Sequence, residues 1–330
     1  MKKLNVLMLS KWHVHAGGYA AQLKGTGRAD ITSVWDEEPA RGEHWAKELG
    51  AEFEPDLNKA AARADVDAVV CDAPTTMHRE VLIAAANAKK HIFTEKALAP
   101  TLAECYDIAE AVKKAGVKFL ISMPHRNNPV YPYAKQLIEE GSLGKISFAR
   151  LRNAHNGASS NWLPEYWYDE SKAAGGAMMD LGCHPMYLAA YLFGKPKRVT
   201  ALFNTLTNKP VDDNAVSAIE FTSGAVAMVE TGFVTPYSPG YFEVYGTEGS
   251  LIVHDAGLKV ISSKLDWANN WASPPEGSMP EVPAGPIEQF VNACLDDAPI
   301  AFGMDEAIAL TELLENAYIA NKTNTQVVIK

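Results

Sequence analysis

The sequence predicts two domains of different class: an α/β domain with a parallel sheet over residues 1–122, and an α+β domain with a large, mainly antiparallel open sheet over residues 123–330. Three observations lead there. The chain has 330 residues, more than one hydrophobic core usually serves. Its first third alternates short, continuously apolar runs with helical stretches, the pattern of parallel strands buried on both faces. Its later part strings strands together through turn signals, the pattern of antiparallel neighbours.

In the first domain, Leu4–Leu9, Ile31–Trp35, Ala68–Cys71, Ile92–Thr94 and Phe119–Ser122 read as strands, with a weaker one near Phe53. Helices are expected from Tyr19, over Ala40–Leu49 and His78–Ala88, and after Thr101. The last is the best specified. Thr101 and Glu104 form a capping box, Leu102, Cys105, Ile108, Ala109 and Val112 recur at helical spacing, and Gly116 ends it. In the second domain, a helix at Tyr131–Glu140 precedes strands at 146–154, 198–206, 215–221, 225–231, 242–245, 250–254 and 258–262. Thr222-Ser223-Gly224 and Gly246-Thr247-Glu248-Gly249 read as turns. One helix is expected near Met178–Phe193 and another at Asp305–Asn321, with 267–286 as a surface excursion.

Apolar residues are 47% and charged residues 21% of the chain, ordinary for a globular protein, and the net charge is −10. Phosphate-backbone binding needs a dense basic patch, and none is visible, so nucleic acid is not an expected partner. Four scattered cysteines form neither a metal knuckle nor a disulfide framework. No apolar run approaches the ~20 residues of a spanning helix. The expectation is a reduced, cytoplasmic protein that engages no membrane.

A doubly wound sheet binds ligands at the carboxyl ends of its strands. Asp36 directly follows the second strand, where a dinucleotide-binding unit of Rossmann type places an acid for the adenosine ribose. With Glu37 and Glu38 beside it, a 2′-phosphate would meet three carboxylates, so NAD is expected over NADP, although Arg41 could soften this. The phosphate loop is unusual. Ser10-Lys11-Trp12-His13-Val14-His15-Ala16-Gly17-Gly18 lacks the early glycines that let backbone amides approach a pyrophosphate. Ser10, Lys11, Trp12 and His13 are the candidate contacts. His13 and His15 are two histidines in one loop with no third ligand identified, and they read as polar loop residues with no metal.

Ala73-Pro74-Thr75-Thr76-Met77-His78 and Glu95-Lys96-Ala97 each follow a strand, on the rim where a bound nicotinamide would sit. Ala73, Pro74, Thr75, His78, Glu95 and Lys96 are therefore cofactor candidates. A lysine there can also stabilise a hydroxyl as it becomes an alkoxide. In Gly175-Gly176-Ala177-Met178-Met179-Asp180-Leu181-Gly182-Cys183-His184, a continuous helix would put Asp180 and His184 on one face. A carboxylate there fixes the imidazole tautomer, and the imidazole takes the hydroxyl proton. Trp162, Tyr166, Trp167 and Tyr168 offer aromatic faces to a pyranose, with two of the four expected to touch ligand and the others to be anchors. His125 and Arg126 are candidates for the same cleft, and Arg126 keeps acidic sugars open.

Together these segments resemble the Gfo/Idh/MocA oxidoreductases. Glu95-Lys96-Ala97 is similar to their EKP motif and Gly175–His184 to their GG-x-x-x-D-x-G-x-H segment, while Asp67–His78, His125–Pro129 and Tyr245–Gly249 match in order. The resemblance implies a catalytic group of Lys96, Asp180 and His184, with His184 as proton acceptor. It also implies bound NAD, a sugar or polyol substrate oxidised at a secondary hydroxyl, and a homodimer or homotetramer. Ala97 in place of the usual proline predicts a relaxed backbone at Lys96. Two other readings stand beside the dehydrogenase. One is a glycosidase or lyase that oxidises the sugar only transiently; the other is a non-catalytic sensor of sugar or nucleotide.

Overall fold

The computed structural model describes residues 3–238, 240–254 and 257–329. The chain forms two compact units: Met1–Pro124 with Pro283–Thr311, and His125–Val282 with Glu312–Lys330.

The first unit runs β1 (Leu4–Leu9), α1 (Ala16–Gly25), β2 (Ala29–Trp35), α2 (Pro39–Leu49), β3 (Glu52–Phe53), α3 (Leu57–Ala62), β4 (Ala68–Cys71), α4 (His78–Asn87), β5 (His91–Thr94), α5 (Leu102–Ala115) and β6 (Phe119–Ile121). The strands form one parallel sheet in the order β3-β2-β1-β4-β5-β6. The order reverses between β1 and β4, so the loops after β1, β4 and β5 converge at the switch point where such sheets bind ligands. Thr101 caps α5 by accepting the Glu104 amide at 3.4 Å, and Gly116 closes it in the left-handed region.

The second unit begins with α6 (Val130–Glu139) and β7 (Ile146–Ala154), followed by the short helices α7 (Glu170–Ala173) and α8 (Ala177–Asp180) and the longer α9 (Cys183–Phe193). Then come β8 (Pro196–Asn204), β9 (Asn214–Phe221), β10 (Val226–Gly232), β11 (Tyr241–Gly246), β12 (Gly249–His254) and β13 (Gly257–Ser262). With β14 (Val327–Val328) they form an eight-stranded sheet, ordered β13-β12-β11-β7-β10-β9-β8-β14. Neighbours are antiparallel except β7 and β10, which run parallel. Along β9 buried and half-buried residues alternate strictly, so one face of the sheet carries the core. Helix α9 is apolar on nearly every side and almost wholly buried.

Two features depart from the sequence reading. Pro283–Thr311 belongs to the first unit, whereas the reading assigned everything after residue 122 to the second. The reason lies in α10 (Pro286–Asp296), a helix the reading did not find. Its Ile287, Phe290 and Val291 are buried with Val6, Met8, Leu23 and Phe93 in the first unit's core. Burial of three such side chains contributes several kcal/mol, about 1.5–3 each, which outweighs their distance along the chain. Secondly, the helix expected over 178–193 is two helices. α8 ends at Asp180, and α9 begins at Cys183 after Leu181 and Gly182. The last helix, α11, spans Met304–Thr323.

Candidate active site

The loop after β1 makes its tight turn without glycine. Ser10 itself adopts φ of 74°, the left-handed region that glycine usually supplies. Its fully buried hydroxyl accepts the Trp12 amide at 3.0 Å. The Lys11 amide donates to Asp36, the His13 amide to the Asp72 carbonyl and the His15 amide to His13 Nδ1. Lys11 Nζ pairs with Glu48 at 2.8 Å. The loop's polar groups are thus largely bonded to the protein itself, contrary to the expectation that Ser10 and Lys11 reach outward to phosphate. The first turn of α1 is different. A helix leaves its first amides without intrahelical partners, and at Gly17 and Gly18 nothing lies within 4 Å of where a Cβ would be.

Asp36 is buried and its two carboxylate oxygens accept four hydrogen bonds. They come from the Lys11 and Glu38 amides and from Arg41 Nε and Nη2, at 2.7–3.0 Å. Arg41 also pairs with Glu37 and, at 3.3 Å, with Glu38. The acid expected at this strand end is present, and with it an arginine enclosed by three carboxylates.

Beyond β4, Ala73, Pro74 and Thr75 are buried, with Thr75 opening a 3₁₀ turn to Met77. His78 does not offer itself to a cofactor. Its ring nitrogens face the Leu98 carbonyl at 3.1 Å and the Ala73 carbonyl at 3.0 Å, so the imidazole braces one strand-end loop against the next. Burial lowers its pKa.

After β5, Glu95 and Lys96 are almost completely buried, and the Lys96–Ala97 peptide is cis. Glu95 Oε1 accepts the Lys96 amide at 3.0 Å, and Lys96 Nζ stands 3.8 Å from the same oxygen. Glu95 Oε2 accepts the Tyr19 hydroxyl, lies 3.1 Å from His15 Nδ1 and 4.0 Å from His13 Nδ1. Burial alone would raise the Glu95 carboxyl, but His13, the His15 hydrogen bond and Lys96 outweigh it and hold the group well below the usual carboxylate range. Sequence reasoning missed this convergence, because the third side chain stands 80 residues from His15. Asp72, at the end of β4, was missed as well. It is fully buried, and neither carboxylate oxygen has a hydrogen-bond partner among the described residues.

In the second unit the Gly175–His184 segment is built by a carboxylate that the sequence reading passed over. Buried Asp212 accepts the Gly176 amide at 2.9 Å, the Met178 amide at 2.8 Å and the Tyr318 hydroxyl at 2.8 Å. A Cβ on Gly175 would collide with Tyr318 and one on Gly176 with the Asp212 backbone, so both glycines are dictated by close approach. The helix is divided at Leu181–Gly182, but both residues keep right-handed helical backbone angles, so Asp180 and His184 stay about one turn apart. His184, buried at the start of α9, places Nδ1 2.9 Å from the Tyr187 hydroxyl, which also accepts the His125 amide at 3.1 Å. The His184 and His125 rings stack at 4.2 Å. Tyr187 is therefore a positioning group for both histidines. Its signal in the sequence was the helical spacing from His184, three residues apart.

The aromatics divide two and two. Trp162 and Tyr166 are exposed, at 54% and 38%, whereas Trp167 and Tyr168 are buried. Trp167, at 4% exposure, is placed as a packing residue in this structure. Arg126 Cζ stands over the Tyr191 ring, 3.8 Å from its centroid.

A parallel sheet with its acid at the second strand end and a buried Glu-Lys pair at the fifth defines the class: an oxidoreductase with an NAD-binding domain. Residues 14–123 match the oxidoreductase family with an NAD-binding Rossmann fold, and residues 131–252 match the GFO/IDH/MocA C-terminal domain. The chain belongs to the Gfo/Idh/MocA family of oxidoreductases, and its cofactor is NAD. It is 31% identical over 249 residues to scyllo-inositol 2-dehydrogenase (NAD(+)) of Bacillus subtilis, covering 73% of this chain and 70% of that one. It is also 31% identical over 229 residues to 2,7-anhydro-N-acetylneuraminate hydratase of Escherichia coli, covering 68% of this chain and 60% of that one. The structure of levoglucosan dehydrogenase in complex with NADH and levoglucosan superposes with a TM-score of 0.84 at 23% identity, over 99% of this chain and 100% of that one, a likeness of fold.

Proposed function

We propose that the protein oxidises a secondary hydroxyl of a sugar, sugar derivative or cyclic polyol, with Lys96, Asp180 and His184 as its catalytic group. The observation that carries this reading is the buried His184 imidazole, oriented by Tyr187 through Nδ1. With the Nδ1 proton on the Tyr187 oxygen, Nε2 is left as the base that takes the hydroxyl proton, a role worth roughly 10²–10⁴-fold in rate. Lys96, held beside Glu95, donates to the substrate oxygen as it becomes an alkoxide. Asp180 supports the local charge of the turn that carries His184. NAD, when bound, supplies the hydride acceptor.

The donor set of the first unit fits that cofactor. The Gly17 and Gly18 amides at the start of α1 suit a pyrophosphate, with Trp12 and His13 packing beside it. Asp36 with Glu37 and Glu38 disfavours a 2′-phosphate, because Arg41 is already committed to all three carboxylates. Ala73–Thr75, Glu95 and Lys96 edge the nicotinamide end. On the second unit, His125, Arg126, Trp162 and Tyr166 face the substrate, and a sugar's C–H face suits the two exposed rings. A homodimer or homotetramer uses the less covered face of the eight-stranded sheet, and the protein works in the cytoplasm. Among the described residues no helix is long and apolar enough to cross a membrane, and all four cysteines are free thiols.

The test is NADH formation over a panel of inositols, hexoses, anhydrosugars and uronic acids. His184→Ala and Lys96→Met are expected to lower kcat at least a hundredfold while NADH binding persists. Undiminished turnover in either variant would remove the mechanism. The hydratase relative favours a second reading, in which the sugar is oxidised only transiently and no net redox change results. Product release without accumulating NADH would establish it in place of the first.

A further inference from the structure

We propose that His13, His15 and Glu95 form a binding site for one divalent transition-metal ion of the zinc class. The loops after β1 and β5 bring the three side chains together, and one ligand atom from each lies within 4.8 Å of the others. His15 Nδ1 stands 3.1 Å and His13 Nδ1 4.0 Å from Glu95 Oε2, and to ligate through Nδ1 His13 would exchange its bond from the His15 amide for the ion. Ligands at ~2.0–2.1 Å around a tetrahedral ion stand about 3.3 Å apart, so sub-ångström movements close the shell. Two imidazoles and one carboxylate are a borderline donor set that suits zinc, cobalt or nickel better than magnesium or calcium. Three protein ligands leave a fourth position open.

The surroundings support an ion as well as the ligands do. Glu95 is oriented from outside the cluster: the Lys96 amide fixes Oε1, and the Tyr19 hydroxyl, itself 2.7 Å from Ser122 Oγ, bonds Oε2. Such supporting bonds are how proteins aim metal ligands. His13 and Glu95 are buried, while the His15 side chain is 44% exposed, which gives an ion a way in.

Independent of these three residues stands Asp72. It directly follows β4, the strand between β1 and β5, and its carbonyl accepts the His13 amide at 3.0 Å. Its carboxylate is wholly buried with neither oxygen bonded among the described residues. A buried carboxyl without a hydrogen-bond partner among the described residues is an unfavourable arrangement, and a divalent cation held by the neighbouring loops would offset it. Hydrogen bonding within the cluster accounts for the placement of Glu95 and leaves the Asp72 carboxyl unexplained. The site concerns metal binding and does not depend on the substrate reading above.

The experiment uses the full chain stripped with chelator and titrated with Co²⁺, following the visible d–d bands, then displaced with Zn²⁺. One cobalt per chain with tetrahedral-type bands is expected. His15→Ala and Glu95→Gln should each weaken binding at least tenfold, while His44→Ala, on the exposed face of α2, should leave it unchanged. His15 is half exposed, so its replacement keeps the fold, which circular dichroism verifies. Absence of stoichiometric cobalt, or binding equal in wild type and His15→Ala, would overturn the proposal. NADH binding and turnover measured on the same stripped protein report separately on the dehydrogenase reading: their loss with cobalt binding intact would strike only that reading.

Discussion

Asp72 and Asp212 are buried carboxylates, one in each unit, and in both burial pushes the pKa up. They differ in what surrounds them. Asp212 has two backbone amides and a tyrosine hydroxyl, each within 2.9 Å, which oppose the effect of burial. Asp72 has the charge of Glu95 in front of it, which adds to burial, and no hydrogen bond among the described residues. The same side chain serves opposite ends. Asp212 is spent on structure, tying the Gly175–Asp180 turn to α11 through Tyr318. Asp72 has no such bonds among the described residues, so its burial is not compensated in the same way.

The contrast can be broken most severely at Asp212. Asp212→Ala removes the partner of the Met178 amide and leaves the Gly176 amide and the Tyr318 hydroxyl only each other, and a loss of about 2–4 kcal/mol in chemical denaturation is expected, together with loss of turnover. A loss below about 1 kcal/mol would mean that the turn holds itself. Tyr318→Phe sharpens the comparison by removing one of the three bonds to Asp212 and the second partner of the Gly176 amide, with an expected cost of about 1–2 kcal/mol and a lowered kcat through displacement of the turn.

The smallest effect has the opposite sign. Because Asp72 has a raised pKa in the folded protein, the stability linked to its protonated form is fully present below the ordinary carboxylate range and is lost as pH rises through the raised value. Asp72→Asn removes that titration. In metal-free protein the variant is expected to gain on the wild type with rising pH, reaching a Tm advantage worth about 1 kcal/mol at neutral pH. Equal Tm profiles across pH 4–8 would show that Asp72 finds a partner in solution. Glu95 runs the other way: with a depressed pKa, its contribution is present above the usual carboxylate range and fades as pH falls below it.

The legibility of the sequence followed the range of the interactions. The alternation of strands and helices, the Thr101 cap, the strand-end positions of Asp36 and Lys96, and the turns between β9 and β10 and between β11 and β12 depend on neighbours a few residues apart, and each could be read directly. What could not be read depends on partners far along the chain. The fate of α10 is decided by Val6 and Phe93, the shape of the Gly175 turn by Asp212 and Tyr318, and the setting of His15 by Glu95. Ser10 shows a subtler limit. A loop without early glycines suggested a rebuilt turn, yet the turn keeps its left-handed residue and simply makes it a serine, held by its own side-chain bond to Trp12.

Whether that serine-built loop still receives a dinucleotide is the central matter, and titration of the stripped protein with NADH and, separately, NADPH tests it most directly. The chain's seven tryptophans provide the energy-transfer signal to the nicotinamide. Tight NADH binding, with NADPH at least tenfold weaker, is the predicted result, since Arg41 is held by Asp36, Glu37 and Glu38. Binding of neither nucleotide, or preference for NADPH, would contradict the account.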